Sequence, residues 1–281
     1  MEEVADCTYR LPLVPASSKV DASEACGRAG KRAQSDQSAM SSRPSKSART
    51  EAPIEELAQT WLAVDYVPQT RKAIETLLAA GDKPALEKLL RKRLAFGTAG
   101  LRGPMGAGFS RMNPVTVLQC TQGIVAYLEK TMGANKLQAA GVAIGYDHRD
   151  DLNGIDSEMM ARAAAAVCVH RGIKVYLYST IVCTPMVPFC VKAKGCAAGM
   201  MVTASHNPKA DNGYKMYGAN GAQLCEPHDT AIAELILENL EPWTDYAAAS
   251  AAVRTAEDAL YDAYVCMDVL CDMYVLCNGI Y

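Results

Sequence analysis

The feature that most constrains the fold is an alternation of strand-like and helix-like segments through the middle of the chain. The spacing of apolar residues predicts a strand at 142–146, a helix at 157–171, a strand at 173–178, a helix at 185–194 and a strand at 197–203. Strands that alternate with helices in this way form mostly parallel sheets covered by helices. We therefore predict a three-layer α/β/α domain with a mostly parallel sheet.

Further segments flank this alternating region. Helical spacing predicts three short helices between residues 57 and 94, and Asp82 and Pro84 suit the start of the third. A glycine-rich loop at 97–108 precedes a longer helix at 114–132, which Gly133 ends. A hairpin with strands at 214–217 and 222–225, turned at Asn220 and Gly221, and a helix at 227–240 are predicted to close the domain.

The composition changes at both ends of the chain. Residues 1–52 are rich in Ser, Ala, Arg and Lys and lack helical or strand periodicity, so we predict a disordered tail there. The folded domain is predicted to span residues 53–246. Residues 247–281 begin with alanines and continue with Tyr, Val, Cys, Met and Asp without amphipathic spacing, which predicts an atypical tail outside the fold.

Composition excludes several classes of protein. A net charge of -3 over 281 residues lacks the basic excess typical of nucleic-acid binders. No apolar run reaches 18 residues, and Glu2, Glu3 and Asp6 stand where a secretory signal carries positive charge, so we expect a cytoplasmic protein without a membrane partner. The 11 cysteines form no CxxC pair, which favours buried free thiols over disulfides.

Two adjacent motifs carry the chemical signal. The sequence TASHNP occupies 203–208, and DNGYK occupies 211–215. Ser205 follows the carboxyl end of a predicted strand, where open α/β sheets bind their ligands. A hydrolase is poorly supported, because Ser205 and His206 are neighbours in sequence and no GxSxG motif surrounds the serine.

These motifs resemble the active-site serine loop of the α-D-phosphohexomutases. The resemblance runs from about Leu57 to Tyr246 and covers the first domain of that family. Its phosphoglucomutase-2 and phosphopentomutase branch is most similar in FGTAGLRG at 96–103, GYDHR at 145–149, NGAQL at 220–224 and ENLEPW at 238–243.

The resemblance implies a role for each candidate residue. Ser205 would carry a phosphoryl group, give it to a sugar monophosphate and recover one from the bisphosphate intermediate. Lys215 would move the hydroxyl proton, which requires desolvation or nearby positive charge to lower its pKa. The substrate-binding residues would be Ser205 itself, Arg102, His206, Asn207 and Arg149, although an ion pair of Arg149 with Asp147 or Asp150 is an equally good interpretation.

The resemblance also implies Mg²⁺, with Ser205 as one metal ligand, and a sugar bisphosphate as activator. The family's Asp-Gly-Asp-x-Asp-Arg metal loop does not occur in this sequence. We therefore expect a truncated phosphoglucomutase/phosphopentomutase-type enzyme, inactive by itself, with sugar phosphates as its small-molecule partners. The alternative is a non-catalytic domain that binds a phosphosugar or a protein partner.

Overall fold

The computed structural model describes residues 52–151 and 154–246. The predictions for residues 1–51 and 247–281 lie outside the described residues. The described part contains eight α-helices, which we number in chain order: α1 Ile54–Val64, α2 Pro68–Ala80, α3 Lys83–Leu90, α4 Pro114–Met132, α5 Ala134–Ala140, α6 Ser157–His170, α7 Met186–Lys194 and α8 His228–Glu238.

Five strands form one sheet in the order β1-β5-β4-β2-β3. Their bounds are β1 Leu101–Pro104, β2 Val142–Tyr146, β3 Val175–Leu177, β4 Ala198–Val202 and β5 Asp211–Gly218. β2 pairs in parallel with β3 and β4, whereas β5 is antiparallel to both β4 and β1. Four strands therefore run in one direction and β5 in the other, which confirms the mostly parallel sheet.

Helices cover both faces of this sheet. Buried residues of α4, α6 and α8, among them Ile124, Met160 and Ile232, pack with β2, β4 and β5 in the largest core cluster. Val187 and Val191 of α7 pack on the opposite face. This arrangement confirms the predicted three-layer α/β/α domain.

Local signals at helix ends position the main elements. Asp82 accepts a hydrogen bond from the Ala85 backbone, so the predicted start of α3 is correct. Asn113 and Thr116 exchange reciprocal side-chain to backbone bonds at the start of α4, and Pro114 occupies its first turn. Asp156 accepts from the Met159 backbone, which starts α6 directly after the loop that follows β2.

Two predictions were wrong, one of a loop and one of a strand. The glycine-rich loop contains strand β1, which pairs with residues 211–214 of β5. The second hairpin strand, predicted at 222–225, is reduced to a single bridge between Gln223 and Tyr217. The physical reason is shared: β1 pairs with the first half of the free edge of β5, so only its end remains for the returning chain.

The helices before β1 form their own core. Trp61 is fully buried and meets Phe109 edge to face, with ring centroids 5.1 Å apart. Among the described residues, no helix is long and apolar enough to cross a membrane. The six described cysteines are free thiols; four are buried as predicted, but Cys183 and Cys225 are exposed.

Candidate active site

The TASHNP loop leaves the carboxyl end of β4 and returns into β5. Within this loop Ala204 is fully buried, whereas Ser205 is exposed. Ser205 has a φ of 55°, and it is the only non-glycine residue with positive φ in the described ranges 52–151 and 154–246. A left-handed conformation of this kind costs about 1–2 kcal/mol for a residue with a Cβ. The loop therefore presents one hydroxyl in a strained, exposed position.

Lys215 lies beside this hydroxyl. Its Nζ donates a hydrogen bond to Ser205 Oγ at 2.5 Å, and its side chain is part of the buried middle of β5. Successive side chains of a strand point to opposite faces, so Tyr214 and Met216 pack into the core on the face opposite to Lys215. The structure thus brings Ser205 and Lys215 into direct contact.

Arg102 joins them from the neighbouring strand. It pairs with Gly213 across β1 and β5, and cross-strand partners project from the same face of a sheet. A Cβ at Gly213 would lie 2.6 Å from the Thr203 carbonyl oxygen, 2.9 Å from that of Leu101 and 3.3 Å from Arg102 Cγ, so the backbone there leaves no room for a side chain. Within the described residues, the buried Nε of Arg102 has no hydrogen-bond acceptor. An anion placed beside Lys215 could supply one.

The surroundings change the proton affinity of Lys215. Burial and, to a lesser extent, the charge of Arg102 lower the pKa of the ammonium, while Asp147 acts in the opposite direction. A lowered pKa increases the fraction of neutral amine, which is the form that can accept a proton from a hydroxyl. Both conditions stated for this lysine from the sequence, desolvation and nearby positive charge, are met by the structure.

This lowered pKa gives a measurable pH dependence. We expect Lys215 Nζ to titrate below the ordinary lysine value of about 10.4 when it is followed by lysine-selective NMR. Arg102→Met should move the midpoint of Lys215 upward, because one source of positive charge is removed. The folded state binds fewer protons here than the unfolded state, so the contribution of Lys215 to stability should increase as pH rises from its folded pKa to its unfolded value of about 10.4. A midpoint of Lys215 at or above the ordinary lysine value would contradict this assignment.

Arg149 is buried behind the loop, not beside the hydroxyl. The whole residue is 7% exposed, and its Nε forms an ion pair with Asp147 Oδ2 at 3.0 Å. Asp147 is one of the two ion-pair partners considered from the sequence. The remaining guanidinium N–H groups are directed to backbone carbonyls of the serine loop.

His206 and Asn207 occupy different positions in the loop. The His206 side chain is exposed next to Ser205. Asn207 is half-buried and donates from Nδ2 to Asp211 Oδ2 at 3.1 Å, while its backbone N–H donates to the Ala204 carbonyl. Asn207 therefore shapes the loop by hydrogen bonds within it.

Sequence reasoning missed three polar residues beneath the site. Ser157 and Asn212 are fully buried, and Asn212 Nδ2 donates to Ser157 Oγ at 2.9 Å. Thr203 Oγ1 accepts from the Ser205 backbone at 2.9 Å. Asn212 lies inside the DNGYK motif, and Ser157 directly follows the cap of α6. Ser157 and Asn212 are 55 residues apart, so no local pattern revealed their contact, whereas Thr203 lies within TASHNP two residues before its partner and was recognisable there.

The described residues do not form a complete metal site. No three His, Cys, Asp or Glu side chains converge in residues 52–151 and 154–246. A single serine oxygen is a poor ligand set for Mg²⁺, which requires near-octahedral oxygen coordination. The Mg²⁺ implied by the resemblance therefore does not fit this set of residues on its own.

Comparison with known proteins matches the part of the chain that contains these residues. The family model for the α/β/α domain I of phosphoglucomutase/phosphomannomutase matches residues 93–242, which include Arg102, Ser205 and Lys215. Phosphopentomutase of Mus musculus is 47% identical over 194 residues, which are 69% of this chain and 31% of that protein. Glucose 1,6-bisphosphate synthase of Homo sapiens is 45% identical over 184 residues, 65% of this chain and 29% of that protein.

A third relative, phosphoribomutase of Saccharomyces cerevisiae, is 42% identical over 188 residues, 66% of this chain and 29% of that protein. The chain thus spans about a third of the length of the curated relatives it matches. All three alignments leave the larger part of the relative unmatched.

Proposed function

This chain belongs to the phosphoglucomutase/phosphomannomutase family, and from that membership we propose that it is the phosphoserine domain of an intramolecular phosphotransferase acting on sugar phosphates. The phosphate would move between C1 and C6 of a hexose, or between C1 and C5 of a pentose. The observation that carries the proposal is the 2.5 Å contact between Lys215 Nζ and Ser205 Oγ at the carboxyl end of β4.

The reaction at this site needs two group transfers. Phosphorylated Ser205 first gives its phosphoryl group to the free hydroxyl of the sugar monophosphate: the bond between phosphorus and Ser205 Oγ breaks, a bond from phosphorus to the sugar oxygen forms, and the proton of the sugar hydroxyl replaces the phosphoryl group on Oγ. The bisphosphate intermediate then turns round. In the second transfer neutral Lys215 takes the proton of Ser205 while Oγ bonds to the other phosphorus, the bond from that phosphorus to the sugar oxygen breaks, and the released oxygen takes the proton back from Lys215.

Positioning and charge neutralisation supply most of the rate in phosphoryl transfer. Arg102 fits the second requirement, because its planar guanidinium can donate two parallel hydrogen bonds to phosphate. In our proposal Arg102 binds the transferred phosphoryl group, and the exposed His206 and the half-buried Asn207 approach the sugar.

Mg²⁺ and an activating sugar bisphosphate belong to the same proposal. Magnesium would neutralise phosphoryl charge, with Ser205 as one ligand among others that the described residues do not supply. For this reason we propose that the chain by itself turns over little substrate. Cytoplasmic sugar phosphates are the expected partners.

The proposal is tested by locating the phosphate. The test uses a chimera, called the exchange protein below, in which residues 53–246 replace the matched segment of mouse phosphopentomutase. It would be incubated with glucose 1,6-bisphosphate and Mg²⁺, and its phosphorylated peptides would be identified by mass spectrometry. We expect phosphate on Ser205 and not on Ser157, which is buried, or Ser179, which follows β3. Phosphate on another serine, with none on Ser205, would end the proposal.

A second candidate function is a non-catalytic domain that binds a phosphosugar or a protein partner. The incomplete metal site among the described residues favours it. This candidate predicts that the exchange protein binds the bisphosphate without phosphorylation of Ser205, so the same peptide map distinguishes the two functions.

A further inference from the structure

The guanidinium of Arg149 has no free donor. An arginine side chain carries five N–H groups, and here each has an acceptor. Nε donates to Asp147 Oδ2 at 3.0 Å, whereas the four remaining groups donate to the carbonyls of Pro208 at 2.7 Å, Asp211 at 2.9 Å, Ser205 at 2.8 Å and Asn207 at 3.1 Å. A phosphate could bind Arg149 only by displacing these acceptors.

The four carbonyls belong to one short segment. They lie between residues 205 and 211, so a single side chain binds the loop from Ser205 to the start of β5. One of them is the carbonyl of Ser205, the residue with φ of 55°. Strained backbone persists where surrounding contacts fix it. Arg149 supplies such contacts on the carbonyl side of Ser205, and Thr203 Oγ1 supplies one at its N–H.

Asp147 fixes the orientation of Arg149. Oδ1 of Asp147 accepts from the Arg149 backbone at 3.2 Å and from Ser157 Oγ at 2.6 Å, while Oδ2 accepts from Arg149 Nε. Ser157 in turn accepts from Asn212. The Asp147 carboxylate is therefore fixed by Ser157 at the start of α6, and Ser157 is itself bonded to Asn212 of β5. The fixed carboxylate in turn orients the guanidinium plane of Arg149.

The two arginines of the site differ in their remaining donors. Arg102 keeps a buried Nε without an acceptor among the described residues, while Arg149 uses all of its donors on this chain. Buried charge-assisted hydrogen bonds to backbone carbonyls are strong and directional. We infer that Arg149 is a positioning residue that holds Ser205 in its left-handed conformation, and that it is not a ligand of the substrate phosphate.

The identity of Ser205 as nucleophile rests on the proposed function, but the positioning role can be measured without turnover. Amide hydrogen exchange of the full 281-residue chain would be compared for the native protein, Arg149→Lys and Arg149→Gln. We expect the amides of Ser205, Asn207 and Asp211 to exchange at least about tenfold faster in both variants. Lysine retains the charge but offers three donors in place of five. Amides of β2 and β3 should be unaffected.

Two further readouts separate positioning from general stability and from phosphate binding. The Nζ resonance of Lys215 should shift in Arg149→Lys, because the released loop withdraws Ser205 Oγ from it. Inorganic phosphate should bind Arg149→Lys within about twofold of the native protein, whereas Arg102→Lys should weaken binding. The control is Arg162→Lys, which alters an arginine paired with Glu158 on α6 and should change none of these signals.

Each other outcome overturns the inference. Unchanged exchange in the loop would show that Arg149 does not hold it. Faster exchange throughout the domain would assign Arg149 to global stability, and weaker phosphate binding with an unchanged loop would make it a phosphate ligand. If Arg149→Gln does not fold, the exchange rates of Arg149→Lys, which retains the charge, decide between these outcomes. Absence of phosphate on Ser205 in the peptide map would refute the proposed function and leave the exchange result standing.

Discussion

Ser205→Ala should abolish turnover of a pentose 1-phosphate by the exchange protein, with kcat/KM lower by at least about 10⁴-fold. In our proposal the variant removes the atom that accepts the phosphoryl group, and neither Lys215 nor Arg102 can replace it as a carrier. This loss corresponds to about 5 kcal/mol of transition-state stabilisation. Steady-state assays with Mg²⁺ and activating bisphosphate measure it.

Ser179→Ala is the matched control for this experiment. Ser179 is exposed beyond the carboxyl end of β3, as Ser205 is beyond β4, and its replacement should leave kcat/KM within about twofold. The unexchanged 281-residue chain is a second reference, and we expect negligible turnover from it. Activity of Ser205→Ala within tenfold of the parent would contradict the assignment of the nucleophile.

Gly100→Ala should destabilise the domain by at least about 3 kcal/mol. Gly100 has a φ of 75°, and a Cβ there would lie 1.9 Å from the backbone carbonyl oxygen of Tyr214 in β5. Because that oxygen belongs to a strand, neither partner can rotate away. β1 would have to separate from β5, which also separates Arg102 from Lys215. Urea unfolding of the 281-residue chain gives the free energy directly.

Gly97→Ala is the control, since no atom lies within 4 Å of a Cβ at that position. It should change the free energy of unfolding by less than about 0.5 kcal/mol. If the two alanine variants unfold at the same urea concentration, the close approach of β1 to β5 is not what requires glycine at position 100.

The sequence by itself determined the layers of the domain and the position of the serine loop. The apolar spacings that predicted a strand at 142–146 and a helix at 114–132 are local, and the structure has both elements with these bounds. TASHNP and DNGYK lie close in sequence, so the contact of Ser205 with Lys215 spans only ten residues along the chain. Short separations of this kind leave few alternative arrangements.

Tertiary structure decided what surrounds that loop. Arg102 lies beside Lys215 only because β1 pairs with β5, and the glycine-rich sequence around Arg102 predicted a loop. Within this glycine-rich segment, Gly100 is approached closely by the backbone of β5. A glycine marks a close approach but does not identify the partner.

Arg149 shows the same limit most clearly. Its sequence context suggested a phosphate ligand or an ion pair, and Asp147 was recognisable as a partner because it is two residues away. The four carbonyl acceptors were not recognisable, because every residue carries a backbone carbonyl and composition gives no sign of which ones converge. Their convergence depends on β2 and β4 lying side by side, so that the loops after both strands meet at one edge of the sheet.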